Sequence, residues 1–436
     1  MAGVLACLSL VAAACGGDDD DGDLIGLDAL TSETLDLTGD DTPTSEAPAA
    51  PGGGGIVDDA VLSDLDANGD GVLQLAVATP GVRNDGAYYQ ALVEAVEEYA
   101  AGRGWPAPQI EDQIPSDDPR PRMEELAESE PDVIFVGASE IAEPMPELAE
   151  TYSDIFWYCS CGAGFTPGDF YAQSQDSGAE ISFTAGYAAA MLMRDARAAG
   201  EDVGTVTAFI GGFGLPFETE SLEAYRAGVE EAVKGEADAG EYATVYERAG
   251  GFDDYFPNEE TGVTPGAKAA YDQVVAANDN IGAVYPYLGN AHLPVAHDAD
   301  AAGYFVMTAG SSTGCEDSPV SYEHPGDPEG ETRTVTYDME VRFDGGDYLE
   351  VILDELFSGE LLEGDVRYFA TGVEETVIGD DGQPQQVFLN GAEICGNTPR
   401  AEAQKEELDA LFQRVADGEF DALLGQISAD AYTPDE

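Results

Sequence analysis

Three groups of residues in this chain have the types, though not quite the spacing, for covalent or metal chemistry. Gly310-Ser311-Ser312-Thr313-Gly314 satisfies Gly-x-Ser-x-Gly, the pattern that presents a nucleophilic serine on a strand-to-helix turn. Such an elbow needs a helix directly after it, and Cys315-Glu316-Asp317-Ser318-Pro319 does not begin one. His324 follows Ser312 by only twelve residues, too few for each triad member to have its own loop. His292 and His297, with Asp298 and Asp300, carry zinc-ligating atoms, but a five-residue separation does not bring two imidazoles to one helical face. Asp66-Ala67-Asn68-Gly69-Asp70-Gly71 opens like an EF-hand calcium loop, yet its twelfth position, where a bidentate carboxylate must close the site, is Val77. A turn before a strand is the simpler account. No catalytic residue, metal or cofactor is expected.

Residues suited to holding a small molecule are better placed. Asn84-Asp85-Gly86-Ala87-Tyr88-Tyr89-Gln90 gathers amides, a carboxylate and two rings where a helical pattern begins. Gly250-Gly251-Phe252-Asp253-Asp254 sets another ring beside acids. A flat uncharged ring is held best between two aromatic faces, while carboxylates and amides bond to hydroxyls. Tyr88 and Phe252 would supply such faces, with Asn84, Asp85, Gln90 and Asp253 as polar contacts and Tyr89 beside them. The alternative is that Tyr88, Tyr89 and Phe252 only pack between strand and helix.

These residues need a frame. Strand-like runs occur at Leu73–Ala78, Val133–Val136, Ile155–Tyr158, Thr205–Ile210, Ala243–Tyr246, Ala283–Tyr285 and Phe305–Thr308. Helical patterns alternate with them at Tyr88–Ala101, Met123–Ala127, Glu147–Tyr152, Ile181–Ala199, Glu220–Lys234, Ala267–Ala277 and Asn290–Ala302. The alternation predicts an α/β chain of right-handed βαβ units, with parallel sheets covered on both faces. Ligands of such sheets bind beyond the carboxyl ends of the strands. Gly289 and Ser311, in loops after later strands, join the candidate ligand-binding set on that ground.

With 436 residues, the chain is long enough for two domains, and an apolar content of 43% supports a globular body. Against 88 Asp and Glu stand 16 Lys and Arg, a net charge of -72. Such a surface repels itself and would not approach nucleic acid productively. Concentrated salt screens the repulsion, so adaptation to salt explains the charge better than an acidic recognition surface does. Four cysteines beyond the N-terminal region, Cys159, Cys161, Cys315 and Cys395, allow three full disulfide pairings, and the sequence does not choose among them. Cys-x-Cys could also bind a soft metal, but no neighbouring His supports that.

The start of the chain says where it works. Leu10-Val11-Ala12-Ala13-Ala14-Cys15 is an apolar run ending at a cysteine, too short to span a bilayer but suited to a signal peptide. It resembles the lipobox of bacterial lipoproteins, which implies that residues 1–14 are removed, Cys15 is lipidated, and the rest lies at the extracytoplasmic face of the cell membrane. Met1-Ala2-Gly3 lacks the usual basic residues, which points to a true start further upstream. From Gly16 to about Asp70 no basic residue occurs, and Asp runs, prolines and Gly52 to Gly55 predict a flexible tether over 15–70.

From Gly71 to about Asn397 the chain resembles the basic membrane protein family, lipid-anchored substrate-binding proteins of ABC transporters. Tyr88 and Gln90 fall where the family has its stacking aromatic and its glutamine; Ala87 and Tyr89 depart from it. Asp132-Val-Ile-Phe-Val-Gly137, Leu148–Phe156, Ala185-Gly186-Tyr187-Ala188-Ala189-Ala190, Ile210-Gly211-Gly212, Tyr225-Arg226-Ala227-Gly228-Val229 and Gly250–Asp254 carry the rest of the likeness. The resemblance implies a type I periplasmic-binding fold, two doubly wound parallel-sheet lobes joined by crossover segments, with a nucleoside as typical ligand and an ABC permease as partner. The lobes would be 71–176 with 337–368 and 177–336 with 369–398, leaving 399–436 as a C-terminal helix or tail. Crossings are expected at Phe170–Asp176, Arg333–Asp338 and Asp365–Gly372. Two family features are missing. Thr308-Ala309-Gly310-Ser311 lacks the expected acid, and only Arg342 stands near an expected lysine, so the ligand could be another small polar or cationic molecule. A sensor presenting its closed form to a receptor would have the same sequence features, and a secreted hydrolase using Ser312 is the reading from another class.

Overall fold

A strand buried in a parallel sheet sends alternate side chains to opposite faces, so it can be apolar throughout only if both faces are covered. Val133-Ile134-Phe135-Val136 behaves this way: Val133 and Phe135 join one apolar cluster with Leu75 and Val77, while Ile134 and Val136 join another with Ala76 and Ala78. A computed structural model shows how the chain builds such layers, and it describes residues 58–433 except 84–87, 163–164, 213–214, 251–264, 290–291, 311–313, 317, 324–330, 379–383 and 397.

In chain order, helix α1 (Asp59–Leu65) precedes β1 (Leu75–Ala78), α2 (Tyr88–Arg103), β2 (Gln109–Glu111), α3 (Arg120–Glu128), β3 (Val133–Val136), α4 (Met145–Thr151), β4 (Phe156–Ser160) and β5 (Ala172–Asp176). A second run follows: α5 (Gly178–Ala198), β6 (Val206–Gly211), α6 (Pro216–Ala232), β7 (Ala243–Arg248), α7 (Pro265–Ala277), β8 (Ile281–Pro286), α8 (His292–Ala302) and β9 (Phe305–Val306). The last third holds β10 (Val320–Glu323), β11 (Thr332–Val335), β12 (Met339–Phe343), α9 (Gly345–Ser358), β13 (Val366–Phe369), β14 (Glu374–Ile378), β15 (Pro384–Phe388), β16 (Asn390–Ile394), α10 (Pro399–Ala416) and α11 (Asp421–Ala431).

Two parallel sheets result. The first has the order β13-β5-β4-β3-β1-β2, with α2 and α9 on one face and α3 and α4 on the other. The second has the order β7-β6-β8-β9, with α5 and α6 on one face and α7 and α8 on the other. Antiparallel pairs β10–β11, β12–β16 and β14–β15 complete the strands. The alternating strands and helices expected from the sequence are present with small shifts at their ends, Phe305–Thr308 shortening to the two residues of β9.

Several expectations change. The tether reading fails at its C-terminal end. Asp59–Leu65 is a helix whose Leu62 packs on the first core, and the Asp58 amide donates to the Phe357 carbonyl at 3.0 Å. Asp66 then closes a turn by accepting the Gly69 and Gly71 amides at 2.8 and 2.6 Å, so its carboxylate faces its own backbone. The second crossing comes at Asp344, not at Arg333–Asp338. Met339 bridges Met307 and the Asp338 amide donates to the Val306 carbonyl, which keeps the start of β12 with the second sheet. Cysteine pairing, open in the sequence, is Cys159–Cys161 and Cys315–Cys395.

Helix α9 had not been anticipated. Asp344 caps it by accepting the Gly346 and Asp347 amides, and its apolar face from Tyr348 to Phe357 packs on α2. The glycines at its start are required: a Cβ on Gly345 would stand 2.8 Å from the Tyr88 carbonyl oxygen, and one on Gly346 2.9 Å from that of Ala91.

Candidate cleft between the two sheets

The carboxyl ends of both sheets open onto one cavity of about 440 Å³. From the first sheet, the start of α2 after β1, the loop after β3 and the last residues of β4 and β5 bring Tyr88 and Tyr89, Glu140, Ser160 and Asp176 to its wall. From the second, the first turns of α6 after β6 bring Glu218, Glu220 and Ser221, and the turn after β8 brings Tyr287. Phe343 and Tyr348 flank the crossing into α9, and Tyr432 arrives from the end of α11. This is where doubly wound sheets hold ligands, because the turns there are free of the packing that fixes the strands. The volume lies within the usual range for small-molecule sites.

Tyr88 opens α2, and its hydroxyl is 2.7 Å from Ser160 Oγ. Its ring meets that of Tyr89 edge-on at 5.7 Å. Burial, then the nearby Asp176 charge, pushes the Tyr88 phenol well up, so it acts as a neutral hydrogen-bonding group. Tyr348 stacks on Phe369 at 4.8 Å, donates its hydroxyl to Asn390 Oδ1, and has a longer contact of 3.4 Å with Asp176 Oδ2. Tyr287 lies 5.4 Å from Phe209 and 6.0 Å from Phe343, measured between ring centres.

Glu218 ties the wall together rather than facing a ligand alone: it accepts the Gly212 amide at 2.9 Å and the Tyr246 hydroxyl at 2.5 Å. Glu220 accepts from Ser428 Oγ and from the Tyr432 hydroxyl, which docks the C-terminal helix on the cleft. The described residues after 398, up to 433, therefore form two helices that contribute a ring to the cleft, not a free tail. Glu140 receives a hydrogen bond from Ser139 Oγ at 3.4 Å and another from Tyr89.

Of the expected ligand-binding residues, Tyr88, Tyr89 and Gly289 line this cavity. Gln90 is not on its wall; its amide donates to Glu94 at 2.8 Å along α2. Asn84, Asp85, Phe252, Asp253 and Ser311, and the lipidation candidate Cys15, lie outside the described residues. Arg342, the one basic residue near the expected lysine, turns to Glu340, Asp347 and Glu393 at 3.8, 3.5 and 3.4 Å and is not on the wall. Sequence reasoning missed Asp176, Glu140, Glu220, Tyr287, Tyr348 and Tyr432. Asp176 ends Ala-Gln-Ser-Gln-Asp, a strand too polar to be read as one; Tyr287 was legible as the first residue beyond a strand end, and Glu140 as an acid in the loop four residues past one. Tyr432 reaches the cleft only through tertiary packing of α11.

The other motifs resolve structurally. His292 donates Nδ1–H to the Gly289 carbonyl at 2.6 Å, which leaves Nε2 to accept the Tyr337 hydroxyl at 2.9 Å. Burial holds its pKa down, so it is a neutral buried histidine shaping the turn that carries Gly289. After Gly310 the next described regular element is the strand β10, not the helix a nucleophile elbow needs.

No family model matches the chain, and no curated protein matches its sequence. Solved structures do resemble it. A solute-binding protein of an ABC transporter system from Aeropyrum pernix K1 aligns with a TM-score of 0.58 at 15% identity, over 82% of this chain and 98% of that one. Another from Conexibacter woesei DSM 14684 aligns with a TM-score of 0.51 at 15% identity, over 80% and 97%. A transcriptional activator of the comK gene from Bacillus halodurans aligns with a TM-score of 0.50 at 13% identity, over 78% and 96%. The shared property is the fold: this chain has the two-sheet type I periplasmic-binding-protein architecture.

Proposed function

We propose that the chain is an extracytoplasmic solute-binding protein that captures a small polar ligand in the cleft and presents it to an ABC-type importer. One observation carries the reading: the carboxyl ends of two parallel sheets, joined by crossing segments, share a single cavity walled by aromatic rings and carboxylates. Closure about the crossings would bury a ligand between the sheets, with no covalent step required. Neighbours of the same fold that belong to ABC transporter systems support the transport role. The lipobox-like run ending at Cys15 supports a lipid anchor on the outer face of the membrane. Tyr88 is the wall residue we assign to ring stacking, and a nucleoside is the ligand class that the sequence resemblance suggests.

The test is a thermal-shift screen of the full chain in concentrated KCl against nucleosides, bases, sugars, amino acids and amines. A ligand at a hundred times its dissociation constant should stabilise by about 2.7 kcal/mol. Tyr88→Ala should abolish that shift; an unchanged shift would remove Tyr88 from the site, and silence across the panel would count against the function. Cys15→Ser should move the protein from the membrane to the soluble fraction, and retention on the membrane would dismiss the anchor.

A further inference from the structure

Among the described residues, the wall of the cleft is charged with one sign only. It carries Glu140, Asp176, Glu218 and Glu220, and among the described residues it holds no lysine, arginine or histidine. The segments outside the described residues from 84 to 313 contain none in their sequence either. The nearest candidate in the sequence, Arg342, is committed to three carboxylates elsewhere. The hydrogen bonds given to three of the wall acids come from neutral groups: Ser139, Tyr89 and its own amide for Glu140, its own amide for Asp176 with the Tyr348 hydroxyl 3.4 Å away, and Ser428 and Tyr432 for Glu220.

Asp176 ends β5 of the first sheet, Glu220 lies on α6 that packs on the second, and the Asp176 charge acts on Glu220. Burial pushes the carboxyls of Glu140, Asp176 and Glu220 above their ordinary range, and no positive side chain acts to bring them back down. Beside them stand the rings of Tyr88, Phe217, Tyr287, Phe343, Tyr348 and Tyr432. An unpaired buried carboxylate is costly, and a positive ligand offsets that cost while a neutral one does not. Aromatic faces add attraction for a cation and area for its carbons.

We infer, building on the solute-binding reading above, that the ligand is a small organic cation, an amine or alkylammonium. Its charged nitrogen sits against Asp176 and Glu220, and its carbon skeleton lies on the surrounding rings. A neutral polyol bonded to protonated carboxyls is the competing occupant, and matched pairs of equal shape separate the two.

The experiment measures binding to the full chain by calorimetry at one fixed KCl concentration. The probes are choline against its uncharged carbon analogue dimethylbutanol, putrescine against butanediol, and adenosine and ribose as neutral ligands. The expected result is that a cation binds at least about tenfold more tightly than its neutral partner, a difference of about 1.4 kcal/mol. Asp176→Asn and, separately, Glu220→Gln, which keeps an acceptor for Ser428 and Tyr432, should each weaken the cation by about tenfold or more while the ligand-free melting temperature stays near the parent's. If adenosine, ribose or a diol binds more tightly than every cation, the charge assignment is overturned and the solute-binding reading stands. If no probe of either kind binds, both fall together.

Discussion

Glu340 shows how a single buried acid can set the response of the fold to pH. It is 1% exposed, and although the Cys315 amide donates to it at 2.7 Å, burial pushes its carboxyl up to about 7. The unfolded chain holds that proton near the ordinary glutamate value of about 4.3. Between those values the folded state binds more protons than the unfolded one, so stability is greatest at the acid end and falls as pH rises toward 7. Asp338 and Asp344, each pushed up to about 6 mainly by burial, act with the same sign. Glu340→Gln keeps an acceptor for the Cys315 amide and removes the titration. Denaturant unfolding of parent and variant across this range, at constant KCl, should show the parent losing on the order of 3 kcal/mol more than the variant. Parallel curves would show that Glu340 is not the group responsible. At this same scale the sequence was only partly legible for the site. Tyr88, Tyr89 and Gly289 announced themselves by type and by position after a strand, and they line the cleft. Asp176 and Tyr348 did not, because the first ends a polar strand and the second begins a helix masked by Gly345-Gly346.

Elements were more legible where one period ran for several turns. Strands such as β3 and helices such as α5 carry unbroken apolar patterns, and the sequence reading met them closely. The antiparallel pair β12–β16 joins segments distant in sequence, and β14–β15 pairs two short strands rich in polar residues, so no local pattern marked either. One contact between elements makes a sharp test. Helices α5 and α6 meet through glycines: a Cβ on Gly186 would overlap the Tyr225 carbonyl oxygen, and one on Gly228 would overlap that of Phe183. These are backbone atoms, so neither overlap is relieved by turning a side chain. Gly186→Ala must therefore push the helices apart, at a cost of about 2 kcal/mol or more, despite the better helix propensity of alanine. Chemical denaturation would read this as a lower midpoint; a variant as stable as the parent would mean that the two helices are not held this closely. The control is Gly425→Ala, on α11, where an added Cβ has nothing within 4 Å and should leave the midpoint near the parent's.

For the whole molecule the governing quantity is the charge of -72, which no rearrangement of pairs can cancel. The arginines are already shared: Arg194 bridges Asp195 and Glu407, Arg367 bridges Glu355 and Glu375, and Arg414 bridges Glu231 and Glu419. Salt then has two opposed effects. It weakens those partly exposed pairs, each worth about 0–1 kcal/mol. It also shortens the range of repulsion among the excess acids from about 10 Å at 0.1 M to about 3 Å at 1 M. With 88 acids against 16 bases, the second effect involves far more interactions and should dominate. The melting temperature should therefore rise steeply as KCl increases over that range, and a sucrose series of equal osmolality should reproduce only a small part of the rise. A flat or falling curve in KCl would show that the ion pairs, not the net charge, control the stability of the fold. An equal rise in sucrose would assign the effect to solvent exclusion instead. The same screening bears on the cleft, where the general field of the acids is damped by salt but the short-range, partly buried contacts of Asp176 and Glu220 are damped much less. A cationic ligand should accordingly keep more of its affinity in concentrated salt than a surface-bound counterion would, so the binding measurements belong at the salt concentration where the fold is most stable.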